Sequence, residues 1–374
     1  MMHDAWSVAL RDRLPWPRRL SDRGEVLDAL MQWLARAQDV TGCGGVSAYY
    51  DLRHGRWAEA YPETTGYIIP TFFDYAAYSG REEYRERALK MADWETQIQL
   101  PEGAIQAGTL GAPLVVPTIF NTGQVLFGWA RAYRETQHPS YADSMRRAAD
   151  WLVSVQDEDG AWRKHPSPFA RPGINAYNTR AAFALIAAAQ ALGVERYAEA
   201  ASRNVAWAMS TALPNGWLPD NCLEEPDKPL THTIAYSIRG ILEVSAAMKN
   251  TEGLAAAVRM ARGVAAAQRS DGSIPGRLDR QWQPQVRWSC MTGNAQMALV
   301  WMRLAEVTAE KIFRENATKA IGFCVRQIDL DSPNDGVRGG MKGSYPFDGP
   351  YMRHRYPNWA TKFLADALLL VQTF

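Results

Sequence analysis

The sequence predicts an all-α fold, an (α/α)6 toroid of six helical hairpins with an inner and an outer ring. Two observations carry that prediction. The first is a sixfold internal repeat of about 57 residues. A glycine in a polar loop recurs at Gly45, Gly103, Gly160, Gly216, Gly272 and Gly336, in steps of 58, 57, 56, 56 and 64. In phase with it, a threonine opens an apolar run at Thr65, Thr122, Thr179, Thr233 and Thr292, and Asn358 takes the sixth place. Repeats of this size are supersecondary units whose apolar faces are buried only by their neighbours. The second observation is that each repeat contains two helices of unlike polarity.

The first helix of a repeat is Ala-rich and amphipathic, as in YADSMRRAADWLVSVQ, YAEAASRNVAWAMS and LAAAVRMARGVAAAQ. Charges recur on one side and apolar residues at three- and four-residue spacing on the other, the pattern of a surface helix. It ends in a Gly-containing polar loop such as DEDGAW or RSDGSIPG, a helix stop. An extended run of about 15 to 20 residues follows, rich in Pro and aromatics. The second helix begins at the threonine, expected as its N-cap. Segments such as GYIIPTFFDYAAY and RAAFALIAAAQAL are apolar nearly all round, so they are buried on every side. The second helices therefore form the inner ring and the first helices the outer one. The repeat spans nearly the whole chain, so residues 1–374 are expected as a single toroid domain, although the length alone allows more than one domain.

Composition narrows the function. Hydrophobic residues make up 47%, enough for a large core, and 41 Lys plus Arg balance 40 Asp plus Glu. That balance speaks against nucleic acid as a partner. No stretch approaches a membrane span, and the first 20 residues lack the apolar core of a signal peptide. Four scattered cysteines without a CxxC are expected as reduced thiols in a cytoplasmic protein. No metal or cofactor is expected.

The segment WLVSVQDEDGAW, Trp151 to Trp162, resembles the repeat motif of squalene-cyclase and protein-prenyltransferase toroids. There a Gln and a Trp brace successive helices. The resemblance concerns the scaffold, because the DxDD acid of the cyclases is absent from this sequence. The prenyltransferases' zinc site would have to be drawn from Cys222, Cys290 and His232, which the spacing does not favour.

Inner helices that run parallel bring six N-termini to one mouth of the ring. Free N–H groups and partial positive charge gather there, so the mouth favours an anion or developing negative charge. The long loops put candidate residues around it. As acid, base or nucleophile they are Tyr50, Glu63, Tyr177, His232, Tyr236 and Tyr356. As substrate-binding residues they are Asn121 and Gln124 in the second repeat and Arg171, Asn178 and Arg180 in the third. Asp220 follows in the fourth and Trp288 and Asn294 in the fifth. The sixth supplies Arg353, Arg355, Asn358, Trp359 and Lys362. Each has a structural alternative: the Asn residues can close loops, and the aromatics of the first helical turn can be core. Arg353 and Arg355 lie beside a helix N-terminus whose dipole repels them, so they are expected to grip an anion. Aromatic faces with planar amide and guanidinium donors suit sugar rings, hydroxyls and carboxylates.

The segment AYYDLRHG, Ala48 to Gly55, resembles the YDLRH signature of glucuronyl C5-epimerases, which use the same helical toroid. The resemblance implies an active-site role for Tyr50. Here the segment lies in the first repeat, whereas that family carries it near the C-terminal end. The expected function is a carbohydrate-active enzyme on an acidic, uronate-containing oligo- or polysaccharide. It would take the C5 proton by Tyr/His acid–base chemistry, as an epimerase or lyase. The alternatives are a glycoside hydrolase using Glu63 and Asp220, a non-catalytic sugar-binding toroid, and a terpenoid-cyclase-like protein.

Overall fold

The computed structural model describes residues 2–14, 22–171 and 173–372. The described residues hold thirteen α-helices, twelve of which form six hairpins. The inner helices are α3 (Pro62–Ser79), α5 (Ile119–Thr136), α7 (Thr179–Leu192), α9 (Thr231–Ala247), α11 (Met291–Thr308) and α13 (Asn358–Gln372). The outer ones are α2 (Arg23–Asp39), α4 (Glu82–Ile98), α6 (Pro139–Ser154), α8 (Glu195–Thr211), α10 (Thr251–Ala266) and α12 (Lys311–Val325). Each inner helix packs on the next, and α13 packs on α3, so the (α/α)6 ring is closed. The first outer helix, α2, pairs with the last inner helix, α13. Chain start and chain end thus share one hairpin, and no repeat is left with an open face.

The repeat signals have a direct mechanical meaning. In every repeat a loop glycine lies against the outer helix of the following hairpin. At Gly160, φ is +89° and an added Cβ would stand 2.4 Å from the Arg203 carbonyl oxygen. At Gly339, φ is +82° and the corresponding distance to the Ala29 carbonyl oxygen is 2.3 Å. The sixth anchor is therefore Gly339 rather than Gly336, and the first is Gly44 rather than Gly45. Gly336 instead lies against the ring of Tyr50.

A glutamine at or within two residues of the outer helix's end completes the joint. The Nε2 atoms of Gln38, Gln99, Gln156 and Gln268 each donate to two carbonyls, one in their own Gly loop and one in the next outer helix. The glutamine brace of the Trp151–Trp162 segment is thus present in four repeats. Repeat four has Ala212 at this place.

The threonines do not cap the inner helices. Thr65 and Thr122 sit one turn inside, donate to the carbonyl four residues back, and accept the N–H of Val46 and Ile105 at 2.9 Å. Thr361 accepts from Met341 in the same way, at 3.1 Å, so it replaces Asn358 as the sixth anchor. Asn294 performs the same task for Ile274 at 2.9 Å. At Thr65 and Thr122 the hydroxyl pins the loop to the helix and the helix begins three residues before the threonine, whereas α7 begins at Thr179 itself.

Two features lie outside the repeat. Helix α1 (Met2–Arg11) lies on the sixth loop. Asp12, just beyond it, is buried with Lys342 at 2.5 Å and accepts the Phe347 N–H at 3.0 Å. Five short strands appear where all helix was expected. β1 (Tyr49–Asp51) pairs antiparallel with β2 (Arg56–Trp57) and with β5 (Arg355–Pro357), and β3 (Ser289–Cys290) pairs with β4 (Ser344–Tyr345). Among the described residues no helix is long and apolar enough to cross a membrane.

Glu95 on α4 is fully buried, and neither carboxylate oxygen has a partner. Burial pushes its pKa well above the ordinary carboxylate value, with Cys43 adding to the rise. A raised carboxyl pKa gives stability at low pH that is lost as pH rises past the unfolded-state value. Glu95→Leu is expected to raise Tm, with the gain over the parent widening from pH 5 to pH 9. Calorimetry at both pH values checks it, and an equal or lower Tm at pH 9 refutes it.

Candidate functional site

Because the inner helices run parallel, their positions stack in layers across the ring, about 1.5 Å per residue. The uppermost layer, at the N-terminal mouth, holds Glu63, His232 and Trp359, each the second residue of its helix. About one turn below come Tyr67, Gln124, Tyr236, Gln296 and Phe363, each the sixth. Glu63 on α3 and His232 on α9 stand on opposite sides of the six-membered ring.

A continuous polar and aromatic chain links these two residues. The Tyr61 hydroxyl donates to Glu63 Oε2 at 2.6 Å. The Tyr61 ring meets Trp359 edge-on at 6.2 Å. Trp359 Nε1 donates to the Tyr351 hydroxyl at 2.9 Å, and the Tyr351 ring lies 5.6 Å from His232. His232 Nδ1 meets Gln296 Oε1 at 2.9 Å, and its ring packs on Tyr236 at 4.6 Å. Phe120 connects Tyr236 to Tyr177, at 4.9 and 5.1 Å. Tyr61, Glu63, Tyr351 and Trp359 all keep some surface open, so the cluster borders free space rather than solid core.

Burial sets the proton affinities. It raises the Glu63 carboxyl to about 7, against a smaller lowering by the Tyr61 hydrogen bond. It lowers His232 to about 4, with the Gln296 contact opposing. At neutral pH the imidazole is therefore neutral. A carbonyl oxygen at Nδ1 requires the proton there, which leaves Nε2 free to accept one. Tyr61, Tyr177, Tyr236 and Tyr351 are all pushed far up, first by desolvation. These hydroxyls are therefore protonated at neutral pH and can donate hydrogen bonds.

Of the residues anticipated from sequence, Glu63, Tyr177, His232, Tyr236 and Trp359 come together at the mouth, with Asn178 beside Tyr177. Tyr61 was missed and Tyr351 was passed over. A signal for Tyr61 existed, since it immediately precedes a proline at the first helical position, the residue that fixes an inner helix start.

The others are placed elsewhere. Tyr50 points away from the ring, edge-on to Trp57 at 5.2 Å, and its hydroxyl accepts from Asn334 at 3.1 Å. Tyr356 is buried against Phe347 at 5.0 Å. Asn121 and Asn358 donate to loop carbonyls of Gln106 and Ser47, and Asn294 holds both Ile274 and Cys290. Arg355 is spent on Asp51 at 3.2 Å and on the face of Tyr49, while Arg353 and Arg171 are exposed. Trp288 lies flat against Gly276. Asp220 gives its backbone carbonyl to Ala176 and does not figure among the influences on Glu63. Gln124, Arg180 and Lys362 belong to the lower ring, with Arg180 Nε reaching Gln124 at 3.4 Å and Lys362 paired to Asp366 at 2.6 Å. Tyr50→Phe is accordingly expected to leave turnover within about twofold of the parent and to cost about 1 kcal/mol of stability. Steady-state rates and urea melts check this, and a hundredfold rate loss would return Tyr50 to the site.

Comparison with known proteins fits this architecture. The family model of the squalene-hopene cyclase C-terminal domain matches residues 63–252. No curated protein matches the sequence. The structure is similar to that of unsaturated glucuronyl hydrolase from Bacillus sp. GL1, at 17% identity over 94% of this chain and 97% of that one, with a TM-score of 0.74. Cellobiose 2-epimerase from Bacillus thermoamylovorans is similar at 12% identity, 94% and 98% coverage and a TM-score of 0.73. D-mannose isomerase gives 12% identity, 96% and 100% coverage and a TM-score of 0.73.

Proposed function

The chain belongs to the squalene-hopene cyclase C-terminal domain family, and on this helical ring we propose an acid–base enzyme that acts on saccharides. The observation that carries the reading is the half-buried Glu63, its carboxyl raised to about 7 and held by Tyr61 opposite a neutral His232. A group that titrates near neutral pH in a partly dry recess is suited to general acid–base catalysis. The structural neighbours, named for hydrolysis, epimerisation and isomerisation of sugars, support the substrate class.

The reaction we propose is proton transfer at a sugar carbon next to a carbonyl or carboxylate. His232 Nε2 takes the carbon-bound proton, and Glu63 in its acid form, across the ring, supplies a proton to the opposite side. The enolate-like charge that develops between these steps meets the first turns of α3, α5, α7 and α9. No N-cap side chain accepts from those turns, so the positive ends of the helix dipoles are uncompensated there by side chains, although loop carbonyls take the Ile119 and Thr231 N–H groups. Hydrolysis, with Glu63 as one of two carboxyl groups, is the alternative reading, which the glucuronyl hydrolase neighbours support equally. The absence of the DxDD acid argues against isoprenoid cyclisation.

The test is incubation in deuterated water with neutral reducing sugars and with uronate-bearing oligosaccharides, followed by NMR and mass spectrometry. Deuterium on the carbon beside the carbonyl or carboxylate is the expected result. Chain cleavage without carbon-bound deuterium would replace proton abstraction by hydrolysis.

A further inference from the structure

One recess of the inner ring does not open at the mouth. It is a cavity of about 730 Å³ that opens at the other end, where Tyr78 and Gln372 stand on the last turns of α3 and α13. Tyr67, Tyr236 and Gln296 close it inside, and their far sides back onto the mouth cluster. A ligand there arrives from the opposite face of the molecule.

Five charged side chains line this cavity, and four are matched. Lys362 pairs with Asp366 at 2.6 Å, Arg239 with Glu243 at 2.7 Å, and Asp74 with Arg131 at 2.5 Å. Arg180 is the exception. It is 8% exposed, and its only hydrogen bond among the described residues is the 3.4 Å contact of Nε with the neutral Gln124. Its guanidinium lies 4.6 Å from the Phe127 ring centre and 5.3 Å from that of Phe183, with no carboxylate in contact. An unpaired buried cation is costly, and replacing such charges with neutral groups commonly stabilises a protein. Burial draws its pKa down to about 10, so it stays charged at neutral pH. Among the described residues neither terminal nitrogen of the fork has a hydrogen-bond or ion-pair partner, and both border the cavity.

We infer that this cavity is a second ligand site, in which Arg180 grips the carboxylate or phosphate of a small organic anion entering from the C-terminal face. The fork suits either group in a two-pronged contact. Phe127, Phe183, Tyr236 and Phe363 offer an aromatic lining of mutually tilted rings to the ligand's body. The site is independent of the sugar chemistry assigned to the mouth.

Calorimetric titration of the full chain with benzoate, glucuronate, phenyl phosphate and inorganic phosphate tests it. At least one of these is expected to bind, and the pair that differs in head group identifies carboxylate or phosphate as the anion. Arg180→Gln is expected to weaken binding at least tenfold, and to melt no lower than the parent when no anion is present. Leu299→Trp, which fills the cavity and keeps Arg180, is expected to abolish binding too. Glu63→Gln is expected to leave it unchanged, which keeps this site distinguishable from the mouth. Absence of binding by all four anions overturns the inference. So does affinity that survives both cavity substitutions, or that falls with Glu63→Gln alone.

Discussion

Glu63→Gln is expected to lower kcat by about 10²- to 10⁴-fold while leaving sugar binding within a few-fold, since one positioned proton carrier contributes that much. The amide keeps the shape and can still accept from Tyr61, but it cannot deliver a proton. The parent's pH profile carries the same assignment. With His232 near 4 and Glu63 near 7, kcat/KM should rise as the imidazole loses its proton and fall as the carboxyl loses its own. The plateau between those values should lose its alkaline limb in the Gln variant's residual activity.

Stability gives a second readout of the same group. A folded-state value raised from 4.5 to about 7 means stability present below 4.5 and lost as pH climbs to about 7. At ~1.4 kcal/mol per unit, the loss is at most about 3 kcal/mol. Glu63→Gln should flatten that slope. An unchanged pH profile in the variant, or an unchanged melting curve between pH 4 and pH 8, removes Glu63 from the role assigned to it.

The parts of this molecule legible in sequence are those that repetition writes down. Helix polarity and period fix two rings, and the recurring Gly, Gln and Thr each correspond to a specific joint. Errors arose where one residue of a similar pair does the work. Gly336 and Gly339 differ in sequence by little, yet only Gly339 meets the next outer helix in the left-handed region. The site was harder. Whether an anchor residue faces the recess or the loop depends on rotation of a few tens of degrees within one helical turn. Glu63 and Thr64 are adjacent, yet Glu63 borders the mouth and Thr64 Oγ1 accepts from Asn358 in the wall. The arginines of YMRHRY looked like anion grips because the sequence could not show Asp51 arriving on a neighbouring strand. Opposite-end access to Arg180 was invisible for the same reason, since it depends on which end of the ring the side chains leave unfilled.

Gly240→Ala is expected to destabilise the fold by at least about 3 kcal/mol, beyond the usual 1–3 for overpacking, because the obstacle is backbone. Gly240 on α9 faces the start of α7. An added Cβ would stand 2.3 Å from both C and O of Thr179 and 2.7 Å from the Arg180 nitrogen. Carbon contacts are normally near 3.5–4.0 Å, so the two helices must part by on the order of 1 Å. A closed ring resists that movement, since α7 is also pressed on α5, where Gly123 would bring a Cβ to 2.6 Å from Ala181 Cβ. Alanine's better helix propensity offsets only about 1 kcal/mol.

A control of opposite sign exists on α12. An added Cβ at Gly322 would find only the tip of Arg326 at 3.5 Å, so Gly322→Ala should gain about 0.5–1 kcal/mol. Urea melts of the two variants separate the effects, since propensity alone predicts stabilisation in both. The loss at Gly240 should also reach the ligand sites. The displaced turn carries Arg180, and Gly240 is one helical turn from Tyr236, which floors both the mouth and the lower cavity. A Gly240→Ala protein as stable as its parent would mean the inner helices stand further apart than the close approach at Thr179 requires.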